Sequence, residues 1–462
     1  MLMEDTACVD QYAAAHGLRL FSSGSLVKVL VINMMERWEQ FQGVYVHTPF
    51  CLQKCLYCDF PSYAGFTEVV RQQYVDALCR EIKTRSLQRE LPVAENATVY
   101  FGGGTPTVLS VGQIQNIVAC LKEYGWWKEP AEATIEANPG TVDAEKLKAL
   151  REIGFDRISL GVQSLQNNEL RALGRIHSAE EALRTIEEAK LAGFQRVNAD
   201  LMSGIPCQTV ESFRDTMNQI LQMNLSHISA YSLILEEGTP MERLVASGRV
   251  TLPDEDISYL MYEMTTEILA QAGLRRYEIS NYAKPGQESL HNIVYWHYEP
   301  YAAFGVGACT FNGKERRTNT ADVQEYIKGW RKEGPVPQND DNTMNGKDTS
   351  SVPMLSAEKE KKGVTDLLHS SVNSVNEYRG LWQTEPLDRR IQISEAMIMG
   401  LRMTEGADIN KMEKRFDINI MNYYGKEIQT LLDKKLAECE DGKLRLTTYG
   451  MRFGNRVFEK FI

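Results

Sequence analysis

Three cysteines in the run Tyr45-Val-His-Thr-Pro-Phe-Cys51-Leu-Gln-Lys-Cys55-Leu-Tyr-Cys58-Asp-Phe60 constrain this chain more than any other residues in it. The spacing C-x3-C-x2-C gathers three thiols in one short loop, and no fourth cysteine follows close behind. Three thiolates can hold three irons of a [4Fe–4S] cluster, which ordinarily takes four cysteine ligands. The fourth iron is then open to a small molecule, much as a catalytic zinc site is left one protein ligand short. A structural zinc site is the first alternative, but it wants four protein ligands, and no nearby C-x2-C or H-x3-H pair supplies the missing one. Three unrelated cysteines are the second. The ligand rules favour the cluster.

A chain of 462 residues suffices for a large catalytic domain plus a smaller one. Its net charge of −11 argues against a nucleic-acid partner. No run of eighteen apolar residues occurs, so no integral membrane span is expected. The apolar stretch over 25–33 is short, is broken by Lys28 and lacks a small-residue cleavage site, which argues against a signal peptide. The other cysteines (Cys8, Cys79, Cys120, Cys207, Cys309 and Cys439) follow no disulfide-like pattern and read as reduced thiols. A cytoplasmic protein is the expectation.

From residue 43 the chain alternates between two periodicities. Runs suited to strands lie over 44–47, 97–101, 133–137, 157–161, 196–201 and 227–235. Between them, helical spacing covers 67–89, 111–124, 144–152 and 210–223, with further helix up to residue 192. Six strands alternating with helices predict parallel βαβ units with right-handed crossovers. In such α/β sheets the ligand sits beyond the carboxyl ends of the strands. The cysteine loop follows the first strand, and Gly102-Gly103-Gly104-Thr105 follows the second. Glu136, Gln163 and Asp200 stand at the next three strand ends. Each alone could be a capping or solvated residue. Acceptor groups at three successive strand ends suit the hydroxyls and positive charge of a nucleotide-like cofactor.

The cysteine spacing resembles the signature of the radical S-adenosylmethionine (radical SAM) superfamily. There the open iron chelates the amino and carboxylate groups of SAM, and one electron from the cluster breaks a carbon–sulfur bond to release a 5′-deoxyadenosyl radical. The phrases Phe-Gly-Gly-Gly-Thr-Pro-Thr, Ile-Glu-Ala-Asn-Pro-Gly, Arg-Ile-Ser-Leu-Gly-Val-Gln-Ser and Leu-Gly-Arg-Ile-His resemble its coproporphyrinogen-oxidase-like branch. The resemblance implies an open (β/α)6 partial barrel followed by a small, mainly helical, winged C-terminal domain. It implies SAM contacts at Tyr45, Tyr57, Gly103, Gly104, Thr105, Glu136, Gln163, Arg175 and Asp200, and it assigns no residue a catalytic role. For Arg175 the plain alternative is a surface ion pair of little energetic weight.

That branch has two limbs. The oxygen-independent coproporphyrinogen III dehydrogenases carry a fourth cysteine where this chain has Phe60. The heme-chaperone (HemW) limb typically reads Tyr-Cys-Asp-Phe, as here, and carries the phrase His-Asn-x-x-Tyr-Trp, present as His291-Asn292-Ile-Val-Tyr295-Trp296. By this resemblance His291, Tyr295 and Trp296 are candidate heme contacts. An imidazole can ligate heme iron and the aromatics can pack on a porphyrin face. The alternative is a histidine hydrogen-bonded in a loop, with the aromatics in the core. A second iron ligand is left open among His297, Cys309 and the methionines. The resemblance implies a chaperone that binds heme and a SAM-capped [4Fe–4S] cluster, takes electrons from a donor and passes heme to an acceptor protein. Decarboxylation of coproporphyrinogen III, or radical chemistry on another substrate, are the alternatives.

The domain boundaries follow. An N-terminal extension is expected over 1–42, and the radical SAM core and its tail over 43–337. A polar insertion without fixed structure is expected over 338–386, because such composition buries too little apolar surface to offset its ordering entropy. The C-terminal domain is expected over 387–462, where Ser394-Glu-Ala-Met-Ile-Met-Gly-Leu-Arg402 resembles the family's phrase.

Overall fold

The computed structural model describes residues 36–331 and 381–462. The extension expected at the N-terminus lies, up to residue 35, outside the described residues, as does the polar insertion as far as 380.

Six parallel strands form the centre: β1 (Phe41–Thr48), β2 (Val93–Gly103), β3 (Ala133–Ala137), β4 (Arg157–Gln163), β5 (Arg196–Ser203) and β6 (His227–Ser232). They pair in sequence order. The first five are each followed by helix: α1 (Glu68–Leu87), α2 (Val111–Glu123), α3 (Ala144–Ile153), α4 (Asn167–Ala172) with α5 (Ala179–Leu191), and α6 (Val210–Gln222). Start signals for these helices are local. Ser110 and Gln113 form a reciprocal capping box on α2, as Ser178 and Glu181 do on α5, each satisfying backbone donors that the first turn leaves free. The strands are buried on both faces, which explains their near-continuous apolar runs; β4 is buried along its whole length.

The sheet is wider than six strands. After α7 (Pro240–Ala246) and α8 (Glu255–Gln271), the short strands β7 (Arg275–Arg276) and β8 (Asn281–Ala283) extend the β6 edge antiparallel. The chain then crosses back through α9 (Leu290–Trp296) to β9 (Tyr301–Phe304), a seventh parallel strand beside β1. Next come β10 (Cys309–Phe311), β11 (Glu315–Asn319), α10 (Val323–Arg331) and β12 (Trp382–Pro386). The two ends of this twelve-stranded sheet do not pair, so the barrel is open. Two expected boundaries are corrected. The core begins at Phe41, inside the stretch assigned to the extension. Trp382–Pro386, assigned to the polar insertion, is instead an edge strand held antiparallel along β11.

The C-terminal domain packs α11 (Arg389–Arg402), α12 (Ile409–Phe416) and α13 (Ile420–Asp433) with a three-stranded sheet of β13 (Ala407–Asp408), β14 (Ala437–Glu440) and β15 (Lys443–Leu446). The domain is mainly helical, as expected, with a small antiparallel sheet beside the helices. Its core, which includes Met397, Leu401, Met412, Ile428 and Leu444, also takes in Tyr298 and Phe311 from the barrel's tail. Arg316 crosses between the two modules to Glu395 at 2.6 Å.

Candidate functional site

The loop after β1 is shaped before any ligand binds. Phe50 is buried and packs edge-on against Tyr74 and Phe66, at 5.2 and 5.6 Å between ring centres. Cys51 N–H donates to the Tyr63 carbonyl, and Tyr63 N–H to that of Pro49, closing the loop on itself. The glycine run docks directly on it: Gly104 N–H donates to Thr48 O at 2.7 Å and Thr105 N–H to Phe50 O at 2.8 Å. A Cβ on Gly104 would stand 2.7 Å from that Phe50 carbonyl, and one on Gly103, at φ 108°, would stand 2.5 Å from the His47 ring. The glycines therefore let the chain's own two loops meet, beyond any access they give a ligand.

Cys51, Cys55 and Cys58 are half-buried free thiols that line one cavity of about 360 Å³. The Cys51 sulfur lies 3.5 Å from Thr105 Oγ1 and the Cys58 sulfur 3.7 Å from Ser62 Oγ, while Arg175 Nη1 donates to the Cys55 sulfur at 3.3 Å. Burial pushes the Cys51 thiol up, so ligation there releases a proton. No three His, Cys, Asp or Glu side chains among the described residues are set to hold a single ion. A four-iron cluster does not need them to be, since each thiolate binds a different iron. The donor set fits such a cluster with one iron open.

The cavity walls assemble most of the expected SAM residues: Tyr57, Gly103, Gly104, Thr105, Glu136, Gln163, Arg175 and Asp200 all line it. Arg175 is no loose surface cation, since Nη2 also donates to Asn138 Oδ1 and to the Gly161 carbonyl, both at 2.5 Å. Gln163 ends β4 at φ 66°, where the register with β5 shifts, so a strained backbone sits at the site wall. Glu136 accepts from Tyr100 Oη at 2.7 Å and from Gly103 N–H at 3.2 Å. Asp200 accepts from Asn198 Nδ2 at 2.7 Å and from Ser159 Oγ at 3.1 Å. Tyr100, Asn138, Ser159 and Asn198 escaped the sequence reading. Two of them were legible: Tyr100 and Asn198 stand two residues before Gly102 and Asp200, and period two puts them on the same strand face.

Four expected contacts lie elsewhere. Tyr45 does not line the cavity; its hydroxyl meets His47 Nδ1 at 3.1 Å and its ring lies beside Tyr100. His291 is 1 % exposed, with Nδ1 on Thr98 Oγ1 at 2.7 Å and Nε2 on Tyr295 Oη at 2.8 Å. Burial lowers its pKa to about 3, and neither ring nitrogen is open to an iron in this arrangement. The plainer expectation, a hydrogen-bonded histidine in a loop, holds for the hydrogen bonding but not the place: His291 lies on α9 and in the core, with Tyr295 as its partner. Trp296 lies on the far side of α9 and lines a second cleft, against the C-terminal domain. Helix α9 is held in place by Glu132, fully buried, which accepts from the N–H groups of Leu290 and His291 and pairs with Arg196 at 3.2 Å.

The Glu136 carboxyl is pushed up to about 7 by desolvation, with the Asp200 charge adding to it and the Tyr100 hydrogen bond opposing. Between its ordinary value of 4.5 and about 7, the folded chain keeps a proton that the unfolded chain has lost, so this group's stabilisation is lost as pH rises through that window. A cationic ligand favours the ionised form. SAM affinity is therefore expected to rise with pH up to about 7 and then level off, with proton uptake by buffer in the acid range. Calorimetry in two buffers checks this, and Glu136→Gln should flatten the slope. An unchanged slope in that variant would refute the assignment.

Residues 45–220 match the radical SAM superfamily and 387–453 the HemN C-terminal domain. Fold and cysteine-lined cavity together define a radical SAM protein. The heme chaperone HemW of Lactococcus lactis is 32% identical over 420 residues, covering 91% of this chain and 97% of that one, and that of Bacillus subtilis is 32% identical over 422 residues. The chain belongs to the HemW family. A mitochondrial radical SAM domain-containing protein 1 of Danio rerio is 30% identical over 88% of this chain and 84% of its own length. Coproporphyrinogen III oxidase (HemN) of Escherichia coli shares the fold, with a TM-score of 0.70 over 96% of this chain and 93% of that one, at 21% identity. Membership of the family brings a [4Fe–4S] cluster and SAM, and the cavity's residues fit both. Among the described residues no helix is long and apolar enough to cross a membrane.

Proposed function

We propose that this chain carries heme as cargo and hands it to an acceptor protein, with the SAM-capped cluster as its resident cofactor and an electron donor serving that cluster. Cys51, Cys55 and Cys58 hold the cluster in this reading. The Gly103–Gly104 backbone, Glu136, Gln163, Arg175 and Asp200 receive and orient SAM. When bound, the cluster supplies one electron at its open iron. The free thiols suit a reducing compartment such as the cytoplasm.

The observation that carries the reading is the charge of the cavity. Coproporphyrinogen III presents four carboxylates, and a site for its decarboxylation needs cations able to hold them. Among the described residues that line the cavity, Arg157 and Arg175 are the only lysines or arginines. Arg157 is buried beside Glu132, and Arg175 is spent on Cys55, Asn138 and Gly161. Glu136 and Asp200 add negative charge to the walls. Phe60, where the dehydrogenase limb carries its fourth cysteine, stands 67% exposed at the cavity's edge.

An anaerobic hemin titration of the cluster-reconstituted chain tests this, with a saturating one-to-one spectrum as the expected result. Weak, non-saturating uptake, with release of carbon dioxide from coproporphyrinogen III, would return the decarboxylase reading.

A further inference from the structure

The cavity that holds the cluster is not the only one touching α9. The opposite side of this helix, with His297 at its C-terminal cap, faces a cleft of about 240 Å³ against the C-terminal domain. Trp296 and His297 form the barrel's wall of the cleft, and Met412 and Phe416 of α12 supply apolar surface on the other side.

His297 differs from His291 in the respects that matter to a metal. Its side chain is 30% exposed. Its Nε2 meets Glu405 Oε1 at 2.8 Å, and Glu405 is held in turn by Lys443 at 2.7 Å. With Nε2–H donated to a fixed carboxylate, the tautomer is set and Nδ1 is left with its lone pair; among the described residues nothing hydrogen-bonds Nδ1. Metal-binding histidines nearly always donate their other ring N–H to a carboxylate, a backbone carbonyl or water, and Glu405 is such a partner. The cleft adds what an amphipathic, anionic macrocycle needs: the Trp296 indole for its face, and the cation Lys411 for a carboxylate, Arg415 being engaged by the Tyr298 carbonyl. Lys411 is exposed and has no ion-pair partner among the described residues.

We propose that, given the heme cargo argued above, His297 is its axial ligand and the cleft between α9 and the C-terminal domain is its seat. The cleft is below the about 300–1,000 Å³ of sites that enclose a whole small-molecule ligand. It takes one edge of the macrocycle and leaves the other in solvent, which suits a carrier that must give its cargo up. Helix α9 is then the wall between cofactor and cargo, with Asn292 on the cluster's side and Trp296 on the heme's.

The test is an anaerobic hemin titration of the full, cluster-reconstituted chain beside His297→Ala and Glu405→Gln. His297→Ala is expected to shift the Soret band and weaken binding by about tenfold or more, and added imidazole should restore the parental spectrum. Glu405→Gln should keep the ligand but weaken binding by about 10- to 100-fold, the usual loss when a ligand's carboxylate partner is removed. Far-UV circular dichroism and cluster content, expected unchanged, report on folding. If the parent binds hemin and His297→Ala binds it alike with the same spectrum, this seat is wrong while the carrier reading stands. If the parent itself does not bind, the carrier reading falls and takes the seat with it.

Discussion

Replacing Cys55 with serine is expected to leave the reconstituted chain without its cluster, seen as loss of iron, sulfide and charge-transfer absorbance. Serine matches the thiol in shape but offers a hard, protonated oxygen where iron–sulfur chemistry selects a soft thiolate. No spare ligand stands near. The other described cysteines lie off the cavity, Cys207 and Cys439 exposed, and Cys79, Cys120 and Cys309 lining none of it. Cys55 is half-buried, and its sulfur accepts from Arg175 Nη1 at 3.3 Å. Serine can accept from that guanidinium too, so unfolding of the cluster-free protein should move by no more than about 0.5 kcal/mol. SAM binding should vanish with the cluster, while hemin binding at the α9 cleft should persist, because α9 separates the two sites. Full cluster content in the variant would mean that the triad is not the ligand set. Loss of hemin binding together with the cluster would place the cargo in the cluster's cavity and not behind α9.

What the sequence revealed and what it hid divide along sequence distance. The expected strand over 133–137 coincides with β3, and α1, α2, α3 and α6 start within one residue of their expected starts, because capping residues and periodicity are local signals. The acceptors at the strand ends were legible because parallel strands send all their carboxyl ends one way. Strand β9 was not. It is four residues long and takes its place from pairing with β1, at Gly43 with Tyr301, which no local pattern announces. The His291 phrase shows the same limit. An i,i+4 pair on a short helix puts His291 and Tyr295 on one face, as the spacing allows. Which face turns inward was decided by residues distant in sequence: Thr98 on β2, Glu132 before β3, and Gly43, where a Cβ would stand 3.0 Å from the His291 ring. The first residue of the family phrase works as core in this chain, and the residue just past its end, His297, is the part-exposed imidazole.

A second buried network also went unread, and removing its centre should have the largest effect on stability of any single change considered. Glu81→Ala is expected to destabilise the chain by about 3–5 kcal/mol, the usual loss when one partner of a buried ion pair is removed. Glu81 sits on α1, wholly buried, and accepts from Arg85 Nη1 at 3.1 Å, Asn319 Nδ2 at 2.9 Å, Tyr326 Oη at 2.5 Å and Gly305 N–H at 2.9 Å. Burial lowers the Arg85 pKa and the Glu81 charge opposes that. Without the carboxylate, the buried Arg85 guanidinium keeps the Ala303 carbonyl and Thr310 Oγ1 but loses its counter-charge, and Tyr326 Oη and Gly305 N–H lose their acceptor. Glu81→Gln keeps an acceptor and the volume, so its loss should be smaller. Urea denaturation of the two variants measures the difference, and a loss below about 1 kcal/mol in Glu81→Ala would refute the account. The effect should reach the site as well. Gly305, at φ 103°, packs so closely that a Cβ there would meet the His47 carbonyl at 2.7 Å, and that same carbonyl accepts from Tyr74 Oη at 2.6 Å. His47 lies in the last turn of β1 before the cysteine loop, so the Glu81 network fixes the strand end from which all three cysteines hang. Cluster reconstitution in Glu81→Ala should therefore fall even at temperatures where the variant remains folded.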